Sequence, residues 1–277
     1  EICDAQNLEA LLRQRRADAR PSFLPLPLDR LPLFLAGFQG VTGPGEGMEG
    51  LRATFEQLFG CPAGARLWEA GILPARIRSY QTSWLDALMQ ESELIWFGCG
   101  RERVGFCFHS DLDLFPGGDG VEPGEEPPPD PVEEGLIRIL SGSRGRLTFS
   151  DVAAETAGSG WTTDSLADAL WRLVWRGRIT NGSYAAVRGG IRSRFRADPI
   201  TGHRKTRRSR GVGFNRWKSS RPHAGSWFAL ERDRSGPADP LDRENLVRDR
   251  VRVLLARYGV LFREVLGNEL PALRWGE

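Results

Sequence analysis

One short apolar pattern occurs twice in this chain at a fixed offset, and it limits the possible folds more than any other feature. The pattern is L-x-x-L-x-x-x-[SG]-x-[LI]. Its two copies consist of Leu85, Leu88, Ser92 and Leu94, and of Leu170, Leu173, Gly177 and Ile179. The two leucines share a helix face, the Ser or Gly ends the helix, and the last residue begins a strand. Short helical patterns precede each copy and strand patterns follow it, which is the element order of a winged helix.

The repeat predicts an α+β, mostly helical chain of tandem winged-helix units with a small β-rich insertion. A length of 277 residues is enough for about two domains. The predicted organisation is a helical lead-in at 1–40, a first winged-helix-like unit at 41–109, an acidic, proline-rich linker at 110–135, a second winged-helix unit at 136–182, a basic and partly β segment at 183–236, and the start of a third winged-helix unit at 237–277.

Local signals refine this organisation. Thr162 or Thr163 is expected to cap the third helix of the second unit, because a hydroxyl oxygen there can accept a bond from a free backbone N–H. The dipeptide at 181–182 is Asn-Gly, which predicts a hairpin turn in the second wing. Residues 226–230 predict a strand that returns to the fold. Asp242 is expected to cap the last long helix.

The net charge of +2 conceals two stretches of opposite sign. Residues 110–135 contain nine acidic residues, no Lys or Arg, and the run Pro127–Pro129, which is typical of a solvated spacer. Residues 188–221 contain twelve Lys or Arg and a single acid, Asp198. Such a cationic stretch attracts a polyanion and gains free energy when counterions are released. A basic loop without a specific ligand is the alternative interpretation.

The predicted DNA contacts lie mainly in this basic stretch. They are Arg192, Arg194, Arg196, Arg204, Lys205, Arg207, Arg208, Arg210, Trp217 and Lys218, with Arg172 and Arg176 late in the third helix of the second unit and Arg178 in its wing. The arginines would hold phosphates, and Trp217 would stack on an unpaired base. Phe195 and Phe214 also interleave with the cations and could stack in the same way.

The third helix of the first unit has few side chains suited to contact DNA. It offers Gln81, Gln90 and Glu91 but no Arg or Lys. Because tandem winged helices also serve as protein–protein adaptors, the sequence favours a scaffold role for this unit.

Several kinds of enzyme chemistry have no motif here. The sequence contains no G-x-x-x-x-G-K-[ST], G-x-S-x-G, H-E-x-x-H or C-x-x-C pattern, and we assign no catalytic residue. A metal site built from Cys99, Cys107 and His109 would lack a fourth ligand, so no metal site is predicted. Free thiols suit a reducing cytoplasm, and no apolar run reaches the ~20 residues that span a bilayer. The chain begins without Met, which suggests a fragment of a longer protein.

Several stretches together resemble the bacterial large helicase-related protein (Lhr) family, in the region after its two motor domains. They are Leu31–Gly40, Trp68-Glu69 with Ile72–Ile77 and Tyr80, Trp84–Asp86, Glu93–Gly98, Ala224–Leu230, and Leu254–Val260 followed by Arg263-Glu264. The resemblance covers most of the chain in the family's order.

The resemblance implies a superfamily 2 helicase that uses ATP and Mg²⁺ to move 3′ to 5′ on single-stranded DNA during DNA repair. The expected partners are single-stranded or tailed duplex DNA and the motor domains of the same polypeptide, in a cytoplasmic, nucleoid-associated protein with no membrane contact. The family also implies that the β-rich insertion is barrel-like. The chain itself would be a DNA-binding or scaffold portion. The alternatives are a module similar to DNA glycosylases for uracil or alkylated bases, and an adaptor without DNA contact.

Overall fold

The computed structural model describes residues 4–19, 24, 26–115, 130–142, 145–196, 225–232 and 239–275. The chain divides into two compact units, residues 1–35 and 36–277. The first unit contains helix α1 (Ala5–Asp18) and a 3₁₀ turn (Leu28–Arg30), and helix α2 (Leu31–Phe38) begins in it. None of the described helices is both long enough and apolar enough to cross a membrane.

Residues 45–108 form a winged helix. Its elements are β1 (Gly45–Glu46), α3 (Gly47–Gln57), β2 (Ala63–Gly64), α4 (Ala65–Leu67), a π-helical turn (Trp68–Ile72), α5 (Leu73–Arg76), β3 (Ile77–Arg78), α6 (Thr82–Glu91), β4 (Leu94–Gly98) and β5 (Arg103–Phe108). The hairpin β4–β5 is antiparallel, and β2 adds to the outer edge of β5. The indole of Trp68 packs edge-on against Phe106 and donates a hydrogen bond to the Val104 carbonyl at 3.0 Å.

The second set of elements follows the same order with an addition. It consists of α7 (Pro131–Gly142), β6 (Leu147–Thr148), α8 (Phe149–Glu155), α9 (Thr163–Trp175), β7 (Ile179–Asn181), α10 (Ala185–Ser193) and β8 (Ser226–Ala229). Thr162 caps α9 as predicted, and its hydroxyl accepts from the Ser165 N–H at 3.1 Å. Gly177 follows α9 with φ +61°, as a glycine after a helix end often does.

The predicted hairpin turn at 181–182 is wrong. The Asn181 carboxamide oxygen accepts from the Ser183 N–H at 3.0 Å, and the chain continues into α10 instead of turning back. The strand that pairs with β7 is β8, from the far side of the basic stretch, in a sheet of order β6-β8-β7. The strand expected at 226–230 is therefore confirmed. This three-stranded sheet is open, and the described residues contain no closed barrel, so the barrel-like insertion stays a prediction.

The winged helix and the second set of elements pack against each other through β4, β7 and α9. The Thr180 hydroxyl donates to the Trp96 carbonyl at 2.5 Å, and the Gly100 N–H donates to the Trp175 carbonyl at 3.0 Å. A Cβ on Gly98 would lie 1.8 Å from the Val174 carbonyl oxygen, so only glycine permits this approach. One continuous apolar core extends across both sets.

The chain ends in helix α11 (Pro240–Tyr258) and two 3₁₀ turns, Val265–Asn268 and Pro271–Leu273. Asp239 caps α11 rather than the predicted Asp242. Its carboxylate accepts from the Leu241 N–H at 2.8 Å, and the proline after it favours a helix start. The third winged-helix unit stays a prediction.

Candidate nucleic-acid interface

Three arginines stand exposed where helix α10 ends and the basic stretch continues. Arg192 lies in the last turn of α10, and Arg194 and Arg196 follow it. We call these three residues the arginine edge. In the described part of the chain no ion pair engages them, so their charges face solvent. The arrangement can attract phosphate groups.

Phe195 lies between these arginines in sequence but points into the protein. Its ring packs edge-on against Trp171, at 4.8 Å between centroids, and against Trp175, at 4.9 Å. The expectation that Phe195 could stack on a base is therefore wrong for this structure, because the ring is already packed against two tryptophans. The i, i+4 spacing of Trp171 and Trp175 on one helix was the sequence signal for such an apolar clamp.

Arg172 and Arg176 are engaged in ion pairs with carboxylates of the same chain. The Arg172 Nε lies 2.5 Å from a Glu133 carboxylate oxygen, and the Arg176 Nη1 lies 2.7 Å from the other oxygen of the same group. Arg172 also pairs with Asp130 at 2.5 Å. The Glu133 side chain is only 2% exposed, so both guanidinium groups neutralise a buried charge at the start of α7.

Helix α9 as a whole shows little of a base-reading surface. Eight of its thirteen residues are buried. Its exposed residues are Asp164, Asp168 and Arg172, which form a single stripe at i, i+4 and i+8. Two carboxylates and an engaged arginine do not attract a phosphate backbone.

Arg178 lies immediately before β7 and borders a groove of about 500 Å³. Its carbonyl accepts from the Leu230 N–H at 2.8 Å, which extends the β7–β8 pairing by one residue. Arg232 and Ser141 line the same groove. Arg178 is half-buried, and it lies on a different element from the arginine edge.

Arg188 has a structural role that the sequence did not reveal. Its guanidinium donates to both Glu69 oxygens at 2.7 and 2.8 Å, and to both Asp86 oxygens at 2.9 and 2.8 Å. It also donates to the Thr82 carbonyl in the first turn of α6. Burial alone would lower the pKa of Arg188, but the hydrogen bonds to the two carboxylates outweigh burial and raise it. These bonds fix helix α10 against α6 of the first winged helix.

The Arg188 network extends to Tyr80, whose hydroxyl donates to Glu69 at 2.8 Å. Burial, with the Glu69 charge beside it, raises the pKa of Tyr80. The remaining exposed end of α6 carries Gln90 and Glu91 and no cation, as the sequence predicts. In the first turn of α6, with which a winged helix often enters a groove, Arg188 binds the Thr82 carbonyl, while Thr82 and Ser83 stay exposed and carry no positive charge.

Seven predicted DNA contacts lie outside the described residues. They are Arg204, Lys205, Arg207, Arg208, Arg210, Trp217 and Lys218. Among the residues that are described, no group of three His, Cys, Asp or Glu side chains could hold a metal ion.

Comparison with known proteins identifies the first winged helix. Residues 27–108 match the family model described as "Large helicase-related protein, winged-helix domain". The chain belongs to the Lhr family.

Two Lhr relatives align with most of the chain. One is named "Lhr helicase/ probable uracil glycosylase", from Mycolicibacterium smegmatis, and is 31% identical over 277 residues, which cover 96% of this chain and 18% of the relative. The other is named "Lhr helicase/uracil glycosylase", from Escherichia coli, and is 30% identical over 247 residues, which cover 83% of this chain and 15% of the relative. The chain thus spans less than a fifth of these Lhr proteins.

Proposed function

We propose that this chain is a DNA-contacting scaffold of an Lhr-type, ATP-dependent 3′–5′ DNA helicase that acts in DNA repair. The motor domains, which would bind ATP and Mg²⁺, belong elsewhere in the polypeptide. The winged-helix match and the two helicase relatives support this proposal. The observation that carries the DNA contact is the arginine edge, where three arginines within five residues are exposed at the end of α10.

The contact is proposed for the arginine edge and not for the third helices, because α6 contains no Lys or Arg and the exposed arginine of α9 is ion-paired. Arg188 engages the first turn of α6, and α9 exposes two carboxylates and an ion-paired arginine. The two winged helices then act as a rigid support that holds the arginine edge outward. This division of roles keeps the scaffold interpretation of the first unit and moves the DNA contact to α10.

The basic stretch would extend the same surface. Residues 197–224 carry eight further Lys or Arg and one acid. Arg204, Lys205, Arg207, Arg208, Arg210 and Lys218 are proposed as phosphate contacts and Trp217 as a stacking residue. Such contacts would bind single-stranded or tailed DNA without reading its sequence.

The test is a titration of fluorescently labelled single-stranded and duplex DNA across a salt series. Replacement of Arg192, Arg194 and Arg196 by Gln should reduce the slope of log K against log salt by up to about 2.1 for single strands and about 2.7 for duplex, since each phosphate contact adds ~0.7 or ~0.9. The matched control replaces Arg243, Arg248 and Arg252, three exposed arginines of α11, by Gln. Equal affinity and slope for the edge variant and the wild type would refute the DNA contact.

A second candidate is a protein–protein adaptor without DNA contact. The lack of an unpaired cation on α6 and α9 favours it, because helices without one are poorly suited to hold a phosphate backbone. The same titration decides between the two, since an adaptor shows no DNA binding even at low salt.

A further inference from the structure

The backbone that follows α10 has an unusual conformation. Arg194 and Phe195 both have φ +55°, in the left-handed region that side-chain-bearing residues rarely adopt. Two consecutive residues of this kind persist only where the surrounding structure holds them. The Phe195 N–H donates to the Gly190 carbonyl at 2.6 Å, which closes the turn back onto the helix.

Tertiary contacts of the Phe195 ring also hold the turn in this conformation. It sits against Trp171 and Trp175, which stack on each other at 5.3 Å. Gly190 leaves room for it, because a Cβ at position 190 would lie 2.4 Å from Phe195 Cδ1 and 2.7 Å from the Trp171 ring. The site is therefore built for an aromatic ring at position 195.

The turn places its apolar side chain against the protein and its charged side chains in solvent. Phe195 points into the aromatic clamp, while Arg194 and Arg196 on either side are exposed. A turn without this clamp would leave the two arginines in many conformations, and DNA binding would then have to order them at an entropic cost.

We infer that Phe195, packed edge-on against the stacked pair Trp171 and Trp175, is the positioning residue that presents the arginine edge to DNA. The inference rests on the proposed function and deepens it, since it names how the edge is preorganised. Phe195 itself touches no DNA in this arrangement. It acts through the two arginines that flank it.

The test compares variants that keep every arginine. Phe195→Ala removes the ring, and Gly190→Ala pushes the ring out of the clamp from the other side. Both should bind single-stranded DNA about tenfold more weakly than the wild type, which corresponds to re-ordering roughly one residue of backbone on binding. Phe195→Tyr keeps the ring and should bind within about twofold of the wild type. Val187→Ala, at a buried position of the same helix, controls for loss of stability alone.

A second readout needs no DNA. Trypsin cleavage after Arg194, identified by fragment mass, should be faster in Phe195→Ala and Gly190→Ala than in the wild type or Val187→Ala. Wild-type DNA affinity in both Phe195→Ala and Gly190→Ala would overturn the inference, whatever the cleavage rate. If those variants bind normally while the triple Gln variant binds weakly, the positioning role fails and the proposed DNA contact stands. If the triple Gln variant binds normally, the proposed DNA contact fails, and faster cleavage would still report the clamp.

Discussion

Replacement of Gly98 by Ala should weaken the contact between the winged helix and the second set of elements. The new Cβ would lie 1.8 Å from the Val174 oxygen, 2.6 Å from the Val174 carbonyl carbon and 3.0 Å from the Trp175 Cα. All three atoms belong to the backbone, so no side-chain rotation relieves the overlap. Ordinary contact begins near 3.4 Å, so β4 and the end of α9 must separate by about 3.4 − 1.8 = 1.6 Å.

The cost of this separation has two parts. Overpacking of this kind costs ~1–3 kcal/mol. The Thr180–Trp96 and Gly100–Trp175 hydrogen bonds cross the same contact, and each contributes ~0.5–1.5 kcal/mol. We expect a loss of about 3 kcal/mol in the free energy of unfolding, and a Tm lower by roughly 6–12 °C for a unit of this size.

Urea unfolding and calorimetry of the 277-residue chain measure both quantities. Gly71→Ala is the matched control, because Gly71 is exposed, lies in a helical turn, and has no atom within 4 Å of an added Cβ. It should be neutral or stabilising by up to ~1 kcal/mol. A Gly98→Ala protein that unfolds within ~0.5 kcal/mol of the wild type would show that β4 and α9 do not approach this closely.

Two further predictions concern buried groups. Arg188→Met should lower the free energy of unfolding by about 3 kcal/mol, because the Glu69 and Asp86 carboxylates lose their partner; adding Glu69→Gln should recover part of the loss in urea unfolding, and a further loss would contradict the network. Burial raises the pKa of Cys99 to about 12 and raises that of Cys107 as well. Unfolded thiols ionise above pH ~8.5 while these stay protonated, so stability should fall from about pH 8.5 towards pH 12, by up to ~1.4 kcal/mol per pH unit for each thiol. Urea unfolding at several pH values should show a shallower decline in a Cys99→Ala, Cys107→Ala variant, and an equal decline would refute the burial effect.

Much of the local structure is predictable from the sequence. The third helices, the hairpin β4–β5 and the strand at 226–230 follow from apolar spacing, and Thr162 caps its helix as expected. The cap of α11 was placed three residues late, because Asp239 and Asp242 both satisfy the capping rule and only the backbone distinguishes them.

The sequence predicts the positive charge of the candidate site but not the role of each arginine. The sequence locates the arginines of α10 and the basic stretch after it, and the structure leaves Arg192, Arg194 and Arg196 exposed. The sequence does not distinguish Arg172 and Arg188 from these exposed arginines, because all of them are simply positive charges along the chain. Their carboxylate partners lie 39 and 119 residues away along the chain, and no local pattern reveals such neighbours.

The sequence by itself determined the third helix of each set, the hairpin β4–β5, the cap of α9 and the sign of charge along the chain, because these depend on residues close together. The tertiary structure alone decided that β7 pairs with β8 across the basic stretch, that Arg188 ties α10 to α6, and that Phe195 enters the Trp171–Trp175 clamp. Each of these is a contact between distant segments. Its free energy comes from burying apolar surface and pairing charges out of water, and that gain exists only after the chain has folded.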